Sequence, residues 1–305
     1  MKKGIISKEY IFALFAVFFW SFNVIVSKYF SNSFTPWQLS FGRWFFAMIV
    51  ILPFTFSDII KYRKEICKNF AFILSSSIIG IMFQNTFIYI AGHTISAIDM
   101  SLIGVLGPIF LIVFSVIFLK EKIKVEQMFG LIITIFGLVF VISRGNLINL
   151  KKFDFKIGDL WMLASSIFFG IYGAFMNKKP KELSEILILS VSIIVGVILM
   201  TPFFVLSLNI NPIFPLSNKF IFIMIYMGVV NSLIAFLLWN TAINKYGSIK
   251  IGIIYYLMPI FSMIESHFIL GEKITINQVY GGLLVILGIS IIQFYGNFKI
   301  KIVRA

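Results

Sequence analysis

The sequence predicts an all-α membrane protein, with ten transmembrane helices arranged as two inverted five-helix repeats. Three observations carry that prediction: composition, the spacing of long apolar runs, and residue pairs recurring at one offset. Of the 305 residues, 60% are hydrophobic and only 12% charged, and the mean hydropathy is +1.01. A soluble domain carries roughly 25% charged residues, and an aqueous core of this size could not hide so much apolar surface. The solvent is lipid. The net charge of +14 does not imply a nucleic-acid partner, because the 26 Lys and Arg gather in short loops between apolar runs, as membrane topology requires. Cys67 is the single cysteine, so no intramolecular disulfide is expected.

Ten runs lie near the roughly 20 residues that a helix needs to cross a bilayer. The first, 10–30, follows Lys2, Lys3 and Lys8 with no small-residue cleavage pattern, so it reads as an uncleaved span. The second, 36–56, opens beside Trp37 and encloses Arg43; the third, 70–92, holds Gln84, Asn85 and Tyr89. The fourth, 95–119, contains Asp99 and Pro108, and the fifth, 125–143, carries Gly130 and Gly137. A polar connection at 144–156 leads to the sixth span, 157–177, which begins near Trp161, and to the seventh, 185–207. The eighth, 219–243, encloses Asn231 and Trp239, the ninth, 248–270, encloses Pro259, Glu265 and His267, and the tenth, 276–295, carries Gly281 and Gly288. With the N-terminus inside, eighteen Lys and Arg fall on the inner side and seven on the outer. That bias predicts a cytoplasmic-membrane protein with both termini in the cytoplasm.

The repeat is read from offsets. Pro108 and Pro259, Glu121 and Glu272, Gly130 and Gly281, Gly137 and Gly288, and Gly145 and Gly296 are each separated by 151 residues. Between 96–145 and 247–296, 16 of 50 positions are identical. Apolar residues coincide easily by chance, so shared Pro, Glu, Lys and Gln carry more weight than shared Ile. Units 1–145 and 146–305 each hold five spans, an odd number, so the second enters the membrane from the opposite side. Inverted repeats are a recurring device of secondary transporters.

The segments PIFLIVFSVIFLKEKIKVEQMFGLIITIFG and PIFSMIESHFILGEKITINQVYGGLLVILG resemble the repeated motif of the drug/metabolite transporter superfamily, EamA family. That motif runs from Pro through an apolar span to Glu, then to Gly–x6–Gly in the next span. Arg43 in LSFGRWFFAMIV resembles the family's frequent second-span Arg, while the family's first-span Trp-Gly stands here as Trp20-Ser21. The resemblance covers nearly the whole chain. It implies ten helices in two inverted halves and transport of a small metabolite, without naming one.

Residue chemistry sorts the motif into structural and functional parts. Glu121 and Glu272 sit just before a helix start, where a carboxylate is stabilised by exposed amides. Pro108 and Pro259 remove a backbone donor and can kink the fourth and ninth spans. Glycines seven apart share a helix face and allow close helix approach. Arg43, Asp99 and Glu265 are intramembrane charges from three spans at a similar depth, in the same half as Asn23, Gln84 and Asn85. Such groups turn inward and pair or line water, so they predict a polar cavity. The competing reading is a packing ion pair of Arg43 with Glu265 or Asp99. A carboxyl group taken out of water is also a candidate proton carrier, whereas a bound Arg43 would hold it charged. His267 lies near Glu265 in sequence but on another side of the helix.

These residues predict a secondary carrier for a small polar solute. Amides such as Asn231, beside the deep aromatics Trp20, Trp44, Tyr89 and Trp239, suit a planar hydrogen-bonding compound, for example an aromatic amino acid or a riboflavin-like vitamin. Protons or another ion are the expected coupling species, no cofactor or metal is expected, and the protein is read as a monomer or homodimer. Export of amino acids or drugs is the alternative within the class; a channel or non-transporting scaffold is the alternative outside it. No Gly-rich loop ending in Gly-Lys-Ser/Thr supports ATP-driven pumping, and His93 and His267 do not form a metalloprotease signature. The first span also lacks the mid-membrane carboxylate of a small multidrug exporter.

Overall fold

A computed structural model describes residues 8–119, 125–143, 145, 156–176, 178–210, 218–246 and 254–295. Every described element is helical. The order is α1 (Lys8–Phe30), α2 (Pro36–Lys61), a short α3 (Arg63–Lys68), α4 (Phe70–Ala91), α5 (Ala97–Gly104), α6 (Gly107–Leu119) and α7 (Val125–Ile142). The second half supplies α8 (Ile157–Met176), α9 (Glu185–Ile210), α10 (218–246), α11 (Met258–Leu270) and α12 (Ile276–Tyr295). Six of the described helices are long and apolar enough to cross a membrane, three in each half, and each half then adds two shorter apolar segments. Large side chains such as Phe54, Phe222 and Phe268 point outward, at 80%, 72% and 81% exposure. An exterior that apolar belongs in lipid.

Local signals fix several boundaries. Thr35 caps α2 through a reciprocal pair, Gln38 N donating to Thr35 Oγ1 and Thr35 N to Gln38 Oε1, with Pro36 in the first turn. Thr275 and Gln278 repeat that arrangement at the start of α12. Pro108 does more than kink the fourth span. The helix stops at Gly104, turns through Val105 and Leu106, and restarts at Gly107. Pro259 likewise stands in the first turn of α11, after a turn at Tyr256 and Leu257. Carbonyls freed inside an apolar bundle need new donors, and Ser166 Oγ supplies one to Ile103 O at 3.2 Å.

Two segments widen into π-helix, Ser77–Phe83 within α4 and Tyr226–Ile234 within α10. They occupy corresponding places in the two halves. Each leaves carbonyls served by a side chain five residues on: Asn85 Nδ2 donates to Gly80 O at 3.2 Å, and Ser232 Oγ to Met227 O at 2.9 Å. Such bulges gather at functional positions.

The glycine pairs act in packing. A Cβ at Gly137 would lie 2.8 Å from Val285 N and 3.1 Å from Gly281 O, and one at Gly288 would lie 2.6 Å from Gly130 O. α7 and α12 therefore meet backbone to backbone.

Glu272 corrects the expected capping partner. Its carboxylate accepts from Ala97 N at 3.0 Å and Ile98 N at 3.4 Å, so it caps α5 of the first half rather than the helix that follows it. Ser266 Oγ donates to the same carboxylate at 2.5 Å. Asp99 accepts from Gln278 Nε2 at 2.8 Å, and exposed His267 donates through Nδ1 to Glu272 O at 3.1 Å. These groups form one fastener between the halves at an end of the bundle. Glu121 lies outside the described residues.

Candidate functional site

A cavity of about 180 Å³ lies between the halves. From the first half come Trp20 and Asn23 on α1, Arg43 and Trp44 on α2, and Gln84 and Asn85 on α4. From the second come Ser165, Ser166, Phe169 and Tyr172 on α8, Asn231 and Ser232 on α10, and Tyr255. Gly104 and Met258, beside the two helix breaks, also line it. The breaks thus bring helix ends to the cavity wall, where irregular backbone is tolerated in a membrane protein.

Arg43 is the centre of the polar wall and is only 5% exposed. Its Nε donates to Ser232 Oγ at 2.7 Å and its Nη1 to Asn85 Oδ1 at 2.8 Å. One partner comes from each half, and each belongs to a π-widened helix. Because Asn85 and Ser232 spend their own protons on Gly80 O and Met227 O, both present lone pairs to the guanidinium. The Tyr89 hydroxyl also faces Arg43 and donates to Asn23 Oδ1 at 3.1 Å. Trp44 carries the guanidinium carbon 5.0 Å from its ring centroid.

Aromatic side chains form the other wall. Trp20 lies 5.2 Å from Trp239 and 6.1 Å from Tyr255 between ring centroids, and Phe169 lies 6.2 Å from Tyr255. Trp20 Nε1 donates to Asn231 O at 3.0 Å, and Asn231 Nδ2 donates to Phe19 O. A carbonyl only accepts, so that contact fixes the orientation of the Asn231 amide.

Trp20, Asn23, Arg43, Gln84, Asn85 and Asn231 therefore share one cavity, while Tyr89 and Trp239 stand directly behind it. Three other sequence-predicted residues do not join them. Asp99 and His267 belong to the fastener at the bundle end. Glu265, 7% exposed, accepts from Ser21 Oγ at 2.9 Å, and its Oε2 has no hydrogen-bond partner. No ion pair joins Arg43 to Glu265 or Asp99 among the described residues. Similar depth, inferred from the sequence, does not make these groups neighbours: Arg43, Glu265 and Asp99 each bond different partners. The same Ser21 hydroxyl lies 2.7 Å from Phe18 O, so one proton faces two acceptors.

Sequence reasoning missed Ser165, Ser166, Tyr172, Ser232 and Tyr255. Serine is common in helices, where it bonds its own backbone, and nothing in its spacing marks these positions. Ser232 alone carried a signal, as the neighbour of a mid-span Asn.

Comparison with known proteins agrees with this architecture. The EamA-like transporter family matches the chain twice, at 7–143 and 156–294. An uncharacterised transporter of Bacillus subtilis, YyaM, is 27% identical over 277 residues, covering 88% of this chain and 87% of its own. A protein of Escherichia coli named a probable amino-acid metabolite efflux pump is 22% identical, over 94% of this chain and 95% of its own. One solved crystal structure shares the fold with a TM-score of 0.61 at 12% identity, covering 95% of this chain and 99% of that one. With both halves matched, the chain belongs to the EamA-like transporter family and is a multi-pass membrane transporter.

Proposed function

We propose that this transporter moves a small planar, hydrogen-bonding solute, such as an aromatic amino acid or a riboflavin-like vitamin, by alternating access. In this reading, units 1–145 and 146–305 form two inverted five-helix halves, and the four shorter apolar segments complete ten crossings of the cytoplasmic membrane. Both termini face the cytoplasm. The observation that carries the reading is the cavity between the halves, lined by amides and Arg43 and by a cluster of aromatic rings. A planar solute fits that pairing, its faces against Trp20 and Tyr255 and its edge toward Asn23, Gln84 and Asn231. Export of an amino-acid-like solute is the second reading, favoured by the name of the Escherichia coli relative.

Glu265 is the coupling group in this scheme, carrying a proton rather than touching solute. The Tyr226 hydroxyl on α10 interacts electrostatically with it, and Ser21 bonds its Oε1. A hydrogen on Glu265 would let the carboxyl donate to Ser21 while Ser21 donates to Phe18. The test uses purified protein in sealed vesicles without ATP. Glu265→Gln keeps a donor and should fold within about 1 kcal/mol of the parent, because one neutral bond replaces another. Accumulation against a gradient should be lost, while exchange of labelled for unlabelled solute persists. Unchanged accumulation would remove Glu265 from coupling.

A further inference from the structure

We propose that Arg43 is a binding subsite for a carboxylate on the transported solute. The inference rests on the transport reading above and narrows its substrate class. Among the described residues, the cavity wall contains one formal charge, and it is positive. Arg43 bonds only neutral partners there, and no described carboxylate lies within ion-pair distance of it. A buried cation without a counter-ion is costly, and in a membrane such groups pair or line water.

The surroundings hold the charge in place without neutralising it. Ser232 fixes Nε and Asn85 fixes Nη1 from opposite halves, and the Tyr89 hydroxyl also faces the guanidinium, which leaves further N–H donors of the five-donor fork for a ligand. A guanidinium held this way matches the two oxygens of a carboxylate. Two further groups in the same wall have unspent bonding capacity. Trp44 Nε1, a donor, and Asn231 Oδ1, an acceptor, are buried without a partner, in residues 6% and 0% exposed. Beside the cation, the wall thus offers a buried donor and a buried acceptor without partners. A solute with a carboxylate, a neighbouring amine or amide N–H, and an aromatic body satisfies all three and the aromatic rings together. A cationic solute would meet Arg43 with repulsion.

The test compares acids with their neutral amides on the purified full-length protein: benzoate with benzamide, indole-3-acetate with indole-3-acetamide, and N-acetylphenylalanine with N-acetylphenylalaninamide. Binding is read by calorimetry and vesicle flux in parallel. Acids should bind at least about tenfold more tightly than amides in a pair that binds, as for a charge-assisted contact. Asn85→Asp places a carboxylate on Arg43 Nη1 and should erase that preference, at some cost in melting temperature because the amide donor to Gly80 O and Gln84 Oε1 is lost. Amides bound as tightly as acids, or a preference surviving Asn85→Asp, would overturn the subsite while planar-solute transport stood. If Asn85→Asp fails to fold, the acid-to-amide ratio of the parent protein decides alone. Binding and flux by neither member of any pair would overturn both readings.

Discussion

Arg43→Gln abolishes transport and lowers stability by about 2–3 kcal/mol. The arginine makes two charge-assisted bonds, one to each half, and such bonds contribute about 1.5–3 kcal/mol each. Glutamine can restore one of them at most. The other partner is then stranded, since Asn85 is 4% and Ser232 7% exposed. Removing a poorly solvated cation offsets part of that loss, which keeps the estimate below the sum of the two bonds. Lysine at this position keeps the charge but cannot span both acceptors with a planar fork, so Arg43→Lys should be intermediate. Thermal unfolding in detergent and vesicle flux measure the two effects separately. A variant with parental melting temperature and parental flux would remove Arg43 from both roles.

Gly288→Val should prevent recovery of folded protein, with a loss of about 3 kcal/mol or more. Added atoms in a tight interface commonly cost about 1–3 kcal/mol, and here the obstacles include backbone. A Cβ would lie 2.6 Å from both Gly130 O and Thr134 N, and would also collide with Thr134 Oγ1. A neighbouring side chain could rotate away, but the α7 backbone must move as a unit. Gly271 offers the contrasting case. It has a φ of 68° and no atom within 4 Å of an added Cβ, so Gly271→Ala should cost only the left-handed strain of about 1–2 kcal/mol. Yields and melting temperatures of the two variants check this order. Equal behaviour would mean that the glycine face of α12 does not set the α7–α12 approach.

Much of the helical order was legible because lipid imposes it. A membrane forces long apolar runs and short charged loops, so spans such as 36–56 and 185–207 stand out without any packing information. The prolines were legible as interruptions, and the paired glycines as a close helix contact, since each removes something the backbone or neighbour would otherwise need. The π-helical segments were not. Widening by one residue per turn alters hydrogen bonding but barely changes the apolar pattern of Ser77–Phe83 or Tyr226–Ile234.

The site was legible in its residue types more than in its geometry. Arg43, Asn23, Gln84 and Asn231 were recognisable because polar groups in lipid must turn inward. Their depth said nothing about lateral position, and the competing reading, an ion pair of Arg43 with Glu265 or Asp99, is not found among the described residues. Glu272 shows a related limit. Its place before α12 identified it as a helix cap, but the helix it caps, α5, is 174 and 175 residues away at the bonded amides. A fold that pairs two halves hides such contacts from local sequence.

Alternating access through the shared cavity is best tested by asking which face of the membrane reaches it. Cys67 is exposed and is the only cysteine, so Cys67→Ala gives a clean background. Ser165→Cys then places one thiol in the cavity wall, close in size to a hydroxyl that donates to Gln84 O at 2.7 Å. A membrane-impermeant thiol reagent is added to sealed, oriented vesicles from one side and then, in a second preparation, from the other. The account predicts modification from either side, slowed by any solute the vesicles transport. Modification from one side alone, under every solute condition, would describe a pocket that never changes face and would contradict it.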